Sequence, residues 1–342
     1  MKADDQDDGV VRIMTQNLYQ GARFSESFAS ATTPAAFLSA VTLTYQHILA
    51  TQPAVRAAAV AREIARERPD LVALQEADIL RSGVVPVTSP PTPVPTVDED
   101  QLALLLAELD RLRRPYQPVA IVPEFDVQLP SSTGKSVRLT ERTVILARGD
   151  LSANDIKLSN AQVQELLAVR AVPTPLGVSL LNPRGWASVD VKVKGRAFRL
   201  VTTHLEFVPF NLAQAKEALQ SAVNSTTLPV VFVGDFNVVA NSPSDPSFTT
   251  YQALINAGLI DAWQQKRPAD PGYTCCQLGT VDNATSNLNA RIDLVLIRGP
   301  IDVRDIHLVG DQPSDRVGGF WPSDHAGIVA TLKIRGDAGP TQ

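Results

Sequence analysis

Cysteine is nearly missing from this chain: there are two, Cys275 and Cys276, and they are adjacent. Neighbouring thiols build neither a disulfide framework nor a cysteine metal site, both of which need spacing. Two reduced, packed thiols are expected, with a strained vicinal disulfide as the alternative in an exported protein. Histidine is scarce as well, with four residues, so a zinc site of the softer His/Cys kind has little to draw on. No apolar run approaches the roughly 20 residues that cross a bilayer. Positive charge is not in excess, because 31 Lys and Arg against 36 Asp and Glu leave a formal net charge of −5. Neither that balance nor any basic stripe with interleaved aromatics points to nucleic-acid binding driven by overall charge. The opening MKADDQDDGV is acidic and lacks the apolar core of a signal peptide. It reads either as a start placed before a mature exported chain or as a native cytoplasmic start.

What is present is ordinary globular composition: 342 residues, 44% hydrophobic and 20% charged, enough for one large or two medium domains. No internal repeat and no compositional boundary is visible. The pattern therefore predicts one domain over residues 10–336, between an acidic tail (1–9) and a short end (337–342). VVRIMTQN (10–17), LVALQE (71–76), RTVILAR (142–148), PVVFVGD (229–235), RIDLVLI (291–297) and GIVATLKI (327–334) read as strands. WASVDVKV (186–193) and AFRLVTTH (197–204) flank Lys194-Gly195-Arg196 as a hairpin. Helical spacing marks 54–68, a stretch around Leu102–Leu112, and 211–223. Residues 20–52 form a small-residue insertion, partly helical near Ala35–Ile48. GVVPVTSPPTPVPTV (83–97) is an extended proline-rich loop. Early strand–helix alternation followed by hairpins predicts two sheets packed face to face with helices outside.

Chemically capable side chains cluster where these strands end. Asn17, Glu76, His204, Asp235 with Asn237, Asp293, and Asp324 with His325 all fall at or beside strand ends. A lone strand-end Asp is commonly a turn or helix cap. Groups of this kind at the ends of six separate strands place polar chemistry at one rim of a sheet. Asn17, Glu76 and Asp324 are hard oxygen ligands, suited to Mg²⁺ or a similar divalent ion such as Mn²⁺. Asp293 is placed to orient His325 as an acid orients a catalytic imidazole. Asp235 is suited to handling a water, and Asn237 and His204 to donating to phosphoryl oxygens.

The ordered set TQN, LQE, TTHLE, GDFN, RIDLVL and SDH resembles the endonuclease/exonuclease/phosphatase superfamily, from about residue 10 to 335. Pancreatic deoxyribonuclease, abasic-site endonucleases, bacterial neutral sphingomyelinases and inositol polyphosphate 5-phosphatases are members. The resemblance implies an α/β (α+β) fold, a four-layer α/β/β/α sandwich of two mixed sheets with helices outside. It implies divalent-metal phosphoester hydrolysis without a covalent enzyme intermediate. It assigns Asn17 and Glu76 to the metal, His204 to phosphate, and Asp235 and Asn237 to the nucleophile and the phosphate. It makes Asp293 the partner of His325, with Asp324 beside it. Arg142 sits where some nucleases place a phosphate-contacting arginine, a structural surface role being the alternative. Trp321 is expected to pack at the pocket rim, or else to stack on a substrate, and Ser323 to buttress its turn. His47 and His307 match no position of the family and are taken as structural. NLYQGA, GYTCC and GFWPSDHAG look like a bacterial group with many exported members, which leans toward secretion.

The expected substrate is a small phosphodiester or a phospholipid headgroup. Phe207-Val208-Pro209-Phe210 and Phe320-Trp321 are apolar stretches that could meet a membrane surface. A nuclease acting on DNA or RNA is the alternative, and a non-catalytic binding module that kept the fold is a third. No obligate protein partner is evident.

Overall fold

A strand covered on both faces needs apolar side chains at successive positions, and the first two strands have them. β1 (Val10–Asn17) sends Val11 and Ile13 to one core and Met14 to another. Two helices follow, α1 (Pro34–Ala50) and α2 (Pro53–Glu67). β2 (Leu71–Gln75) then divides Leu71 and Ala73 from Val72 and Leu74 in the same way. This computed structural model describes residues 9–22, 28, 30–87, 93–152 and 155–336. Residues 1–8 of the tail expected over 1–9, the end expected over 337–342, residues 23–27 and 29 of the insertion, and residues 88–92 of the proline-rich stretch lie outside the described residues.

β3 (Ile79–Gly83) and β4 (Thr96–Asp100) form a hairpin, and α3 (Gln101–Arg111) follows. β5 (Tyr116–Pro130) and β6 (Ser136–Arg148) form a longer one. The chain then crosses to a second sheet with β7 (Ile156–Glu165), after which β8 (Arg170–Pro173) and β9 (Ser179–Asn182) make a separate ribbon. β10 (Gly185–Val193), β11 (Arg196–His204), α4 (Asn211–Ala218), β12 (Val230–Asp235), α5 (Phe248–Asn256), β13 (Ile260–Asp261), α6 (Ala262–Lys266) and β14 (Asp293–Arg298) continue it. β15 (Ile301–Val309) and β16 (Gly327–Ile334) return to the first sheet.

The first sheet has eight strands in the order β15-β16-β1-β2-β6-β3-β4, with β5 paired to β6. The second has six, β13-β14-β12-β11-β10-β7. Both are mixed: β1/β2 and β11/β12 run parallel between antiparallel neighbours. Ile13, Leu71 and Ile145 of the first sheet share one core with Val189, Leu200 and Val233 of the second, so the sheets pack face to face. On the outer face of the first, α2 and α3 bury Val60, Ile64, Leu105 and Leu109. On the outer face of the second, α4 and α5 bury Ala215, Ala218 and Leu254 against Phe232 and Leu294. These are the four layers of the expected α/β/β/α sandwich. α1 packs Phe37, Val41 and Ile48 against Phe125, Leu129 and Leu139. The insertion is thus anchored over the far ends of β5 and β6.

Several boundaries differ from the sequence expectation. The loop expected over 83–97 is shorter, because Thr96 and Val97 already pair with β3. β6 begins at Ser136 and not at Arg142. Its partner β5 is interrupted by Pro118 and Pro123, where the pairing shifts register, and proline hides a strand from pattern reading. The helix expected over 211–223 is α4 to Ala218 and then a π-turn over Leu219–Val223. The RIDLVLI strand starts at Asp293, and Arg291 lies ahead of it, donating to Asp261 at 2.5 Å.

Gly234 has φ +137°, and a Cβ there would stand 2.0 Å from the Thr203 carbonyl oxygen of β11. Close approach of β12 to β11 therefore requires glycine. Gly234→Ala is expected to destabilise the fold by about 2 kcal/mol or more, from overpacking added to backbone strain. Urea unfolding measures it, and a midpoint equal to wild type would refute the close-approach argument.

Candidate active site

Strand ends deliver the central groups. In the parallel pair β11/β12, His204 lies opposite Asp235, and in the antiparallel pair β12/β14, Asp235 lies opposite Asp293. Three neighbouring strands thus bring three titratable groups into one row. From the first sheet, Asn17 ends β1 and Glu76 follows β2 in a left-handed conformation at φ 53°. Asp324 and His325 precede β16, and His325 bridges to Cys275. Asn17, His204, Asp235, Asn237, Asp293, Asp324 and His325 are all buried.

Asp235 Oδ2 is the meeting point. Asn17 Nδ2 donates to it at 3.1 Å, while His204 Nε2 lies 3.6 Å away and His325 Nε2 3.9 Å away. His325 Nε2 is also 3.9 Å from Asp324 Oδ1, and His204 Nε2 is 4.0 Å from Glu76 Oε1. Each imidazole has a carboxylate behind it. His325 Nδ1 donates to Asp293 Oδ2 at 2.8 Å, and His204 Nδ1 donates to Glu141 Oε1 at 2.7 Å. Such a partner fixes the ring orientation and leaves Nε2 facing the reacting groups.

The electrostatics follow from burial. Burial and the charge of Asp293 push Asp235 up, against the two imidazoles. Burial and Arg184 pull His204 down, but Glu141 and Asp235 outweigh them and hold it at about 9. His325 is likewise lowered by burial, yet Asp293 and Asp324 raise it well above the ordinary histidine range. Four carboxyl groups thus meet here, those of Asp235, Asp293 and Asp324 buried and that of Glu76 partly exposed, with two imidazoles among them.

Two expected contributors behave differently in detail. Asn17 turns its amide nitrogen to Glu76 Oε1 at 3.0 Å and to Asp235, while its oxygen accepts the Tyr19 N–H at 2.8 Å. Asn237 uses its side chain to donate to the Leu205 carbonyl at 2.7 Å, and its backbone N–H holds Asp235 Oδ1 at 2.9 Å. Asn17 and Asn237 thus sit in the cluster as donors that position other residues. The Gln20 N–H donates to Glu76 Oε2, fixing the other oxygen of that carboxylate.

Arg142 and Trp321 are not brought into this cluster. Arg142 donates to the Ala77 carbonyl at 2.6 Å and to Asp100 at 2.6 Å, the structural alternative. Trp321 is fully buried beside Tyr19 and Val281, with its Nε1 donating to the Asn283 carbonyl at 2.8 Å. Its ring is packed, as first expected, and has no free face for stacking on a substrate, which removes the alternative. Ser323 Oγ accepts the His325 N–H at 3.1 Å, as a turn buttress does. His307 lies between Asp305 and Glu67 at 2.9 and 3.2 Å, away from the cluster. Cys275 and Cys276 are joined by a disulfide, the alternative to the two reduced thiols expected from the sequence. Phe207 and Val208 are exposed, whereas Phe320 is partly buried against Trp321.

Sequence reading missed the support behind His204. Glu141 Oε1 also takes a hydrogen bond from Arg184, which lies 3.4 Å from Glu124 and 3.7 Å from Glu206. Glu124, Glu141, Arg184 and Glu206 are all buried. Burial alone would raise Glu141, but Arg184 and His204 hold it at about 2. Burial and the Glu141 charge push Glu124 up to about 8. The signal for Glu141 was its place in β6: Leu139, Glu141 and Thr143 alternate on the buried side.

Comparison with known proteins agrees with this fold. The family model described as the Endonuclease/Exonuclease/phosphatase family matches residues 48–325. The chain belongs to this family, whose members are metal-dependent phosphoester hydrolases and nucleases. An endonuclease/exonuclease/phosphatase from Beutenbergia cavernae is similar in structure, with 22% identity, a TM-score of 0.55, and coverage of 96% of this chain and 72% of that one. The human nocturnin catalytic domain, with a bound sulfate anion, gives 18% identity, a TM-score of 0.53, and coverage of 96% and 94%. D. rerio TDP2 in complex with single-strand DNA product gives 17% identity, a TM-score of 0.50, and coverage of 95% and 100%. No curated protein matches the chain by sequence.

The two buried glutamates should respond oppositely to neutralisation. Glu124 is held in its protonated form near neutral pH, so Glu124→Gln is expected to fold and keep the site. A raised carboxyl stabilises the fold fully below the ordinary glutamate range and loses that contribution as pH rises through about 8. Wild type should therefore lose thermal stability relative to Glu124→Gln between about pH 5 and 8, the window between the ordinary and the raised value. Glu141→Gln removes a charge that Arg184 and His204 both face and should be destabilising throughout. Parallel pH profiles for wild type and Glu124→Gln would refute the assignment.

Proposed function

We propose that this chain is a divalent-metal-dependent phosphoester hydrolase acting on a small phosphodiester by direct attack of water on phosphorus. The observation that carries the reading is the convergence of two carboxylate-backed imidazoles on Asp235 Oδ2 beside further carboxylates. The cluster offers carboxylate oxygens beside two imidazoles, and its carboxylates suit a hard cation such as Mg²⁺, with Mn²⁺ as a substitute. Glu76 and Asp324 would hold it, and when bound it would polarise a phosphoryl oxygen and offset its growing charge.

The remaining work falls to side chains. Asp235 accepts a proton from the attacking water. Its raised affinity for a proton, caused by burial and Asp293, makes it a better acceptor than an exposed aspartate. His325, held by Asp293, and His204, held by Glu141, point N–H donors at the phosphoryl oxygens, where charge develops. Asn17 and the Gln20 N–H keep Glu76 in place, and Asn237 keeps Asp235 in place. These groups are preorganised by hydrogen bonds already made, so little rearrangement accompanies the reaction. A nuclease is the second reading, and the structural neighbour solved with a DNA product favours it.

Bis-p-nitrophenyl phosphate tests the reaction class. Hydrolysis is expected with Mg²⁺ or Mn²⁺ and should stop with EDTA. Asp235→Asn and His325→Ala should each lower kcat/KM by about 10²–10³, the usual loss for one preorganised donor or acceptor. Wild type and His325→Ala sharing the same near-zero rate with every divalent ion would favour a binding module instead. Plasmid DNA and RNA in the same assay separate the nuclease reading.

A further inference from the structure

A cleft of about 1200 Å³ opens beside the carboxylate cluster, with Asp324 in its wall. One side is α1, whose Ser39, Leu43 and His47 recur every four residues and so share one helical face, with Ala40 beside them. The other side is the segment that follows Cys276, together with Asn287 and Asn289. The two sides are tied together at Gly279. Its carbonyl accepts from Tyr19 Oη at 2.7 Å and from His47 Nε2 at 3.0 Å. This gives His47 a definite place in the fold, as a clasp between the insertion helix and the opposite wall.

The walls do not fill the space between them. Leu43 is 64% exposed and Leu278 50% exposed, although both line the cleft. A space this large far exceeds a phosphoryl group and is of the size that takes a small organic molecule. Its charge narrows the class of occupant. Among the described residues that line it there is no lysine or arginine, and Asp324 adds negative charge. A chain of further phosphates would meet no lysine or arginine among the described lining residues. Ser39, Asn287 and Asn289 are exposed amide and hydroxyl groups, able both to donate and to accept. A purely apolar tail would leave such groups without partners on desolvation.

We propose that this cleft binds one organic substituent of the phosphoester, and that the substituent is uncharged and hydroxyl-bearing, of the sugar or nucleoside kind. The proposal rests on the hydrolase reading and adds the substrate class to it. α1 belongs to the insertion, so substrate choice is set by a segment separate from the strand ends that carry the chemistry.

The test compares p-nitrophenyl diesters of one reacting centre: methyl p-nitrophenyl phosphate, its octyl analogue, thymidine 5′-(p-nitrophenyl phosphate), and that thymidine ester carrying a 3′-phosphate. The thymidine ester should exceed the methyl ester in kcat/KM by about tenfold or more, as a filled pocket with satisfied polar groups does. The octyl chain should give no comparable gain, and the 3′-phosphate should cancel it. Ser39→Trp, an exposed position on the cleft face of α1, should reduce the thymidine-to-methyl ratio by about tenfold. Gln46→Trp, exposed on α1 outside the cleft, should leave the ratio alone. A wild-type ratio near one, an unchanged ratio in Ser39→Trp, or preference for the octyl or 3′-phosphorylated ester would overturn the proposal. Titration calorimetry with the unreactive phosphonate analogue of the thymidine ester separates the two readings. Binding that Ser39→Trp abolishes, without turnover of any ester, removes the hydrolase reading and keeps the cleft. Turnover without thymidine preference removes the cleft and keeps the hydrolase, and absence of both binding and turnover removes both.

Discussion

One buried oxygen, Asp235 Oδ2, organises the active end of this molecule. A carboxylate out of water is tolerated only when donors or opposite charges surround it. Here an amide nitrogen and two imidazoles do so, and each imidazole has its own carboxylate behind it. The arrangement depends on register. His204, Asp235 and Asp293 share a row only because β11, β12 and β14 pair as they do. A slip of one residue would turn Asp235 toward the other face of the sheet and leave the imidazoles without it. Gly234 permits the strands to approach closely enough for that row to form.

The parts of the site that the sequence discloses are those at the ends of buried strands. Such strands are apolar at nearly every position, so the first polar residue after the run stands out and has only the rim to occupy. That logic located Asn17, Glu76, His204, Asp235 and Asp324-His325. It failed for Glu141, Glu124 and Arg184 for a physical reason. β5 is broken by prolines and the first half of β6 alternates polar with apolar residues, so Glu124 and Glu141 do not stand at the end of an apolar run, and Arg184 lies ahead of β10, not after a strand. The same alternation explains Arg142. Neighbours on a strand point to opposite faces, so with Glu141 turned toward His204, Arg142 has to turn away, and it meets Asp100 and the Ala77 carbonyl. Spacing alone suggested a phosphate contact there, and strand geometry removes it.

Trp321 teaches a related lesson. Its place beside the SDH motif left packing and substrate stacking both open, and burial against Tyr19 and Val281 makes it a support for the segment that leads to Asp324. Motif proximity says which residues are near the chemistry along the chain, not which way they face. The insertion shows the converse. Residues 20–52 carry no motif of the family, but α1 packs on β5 and β6 and supplies one wall of the cleft beside Asp324. Reaction chemistry on this fold comes from strand ends, while the shape of the space beside it comes from what is added between them.

The buried network of Glu124, Glu141, Arg184 and Glu206 is costly on stability grounds alone. Replacing buried ion pairs with packed apolar residues is commonly neutral or even stabilising, by about 1–4 kcal/mol. Packing therefore does not account for it. What it supplies is a fixed charge: Arg184 keeps Glu141 ionised, and Glu141 in turn holds His204 by Nδ1 and keeps it protonated. An apolar replacement would free the ring to rotate and lower its proton affinity, so Nε2 would no longer present a charged donor toward Asp235. The position and charge of one imidazole thus depend on residues that touch neither Asp235 nor Glu76, which is the form electrostatic preorganisation takes when a site is built across two sheets.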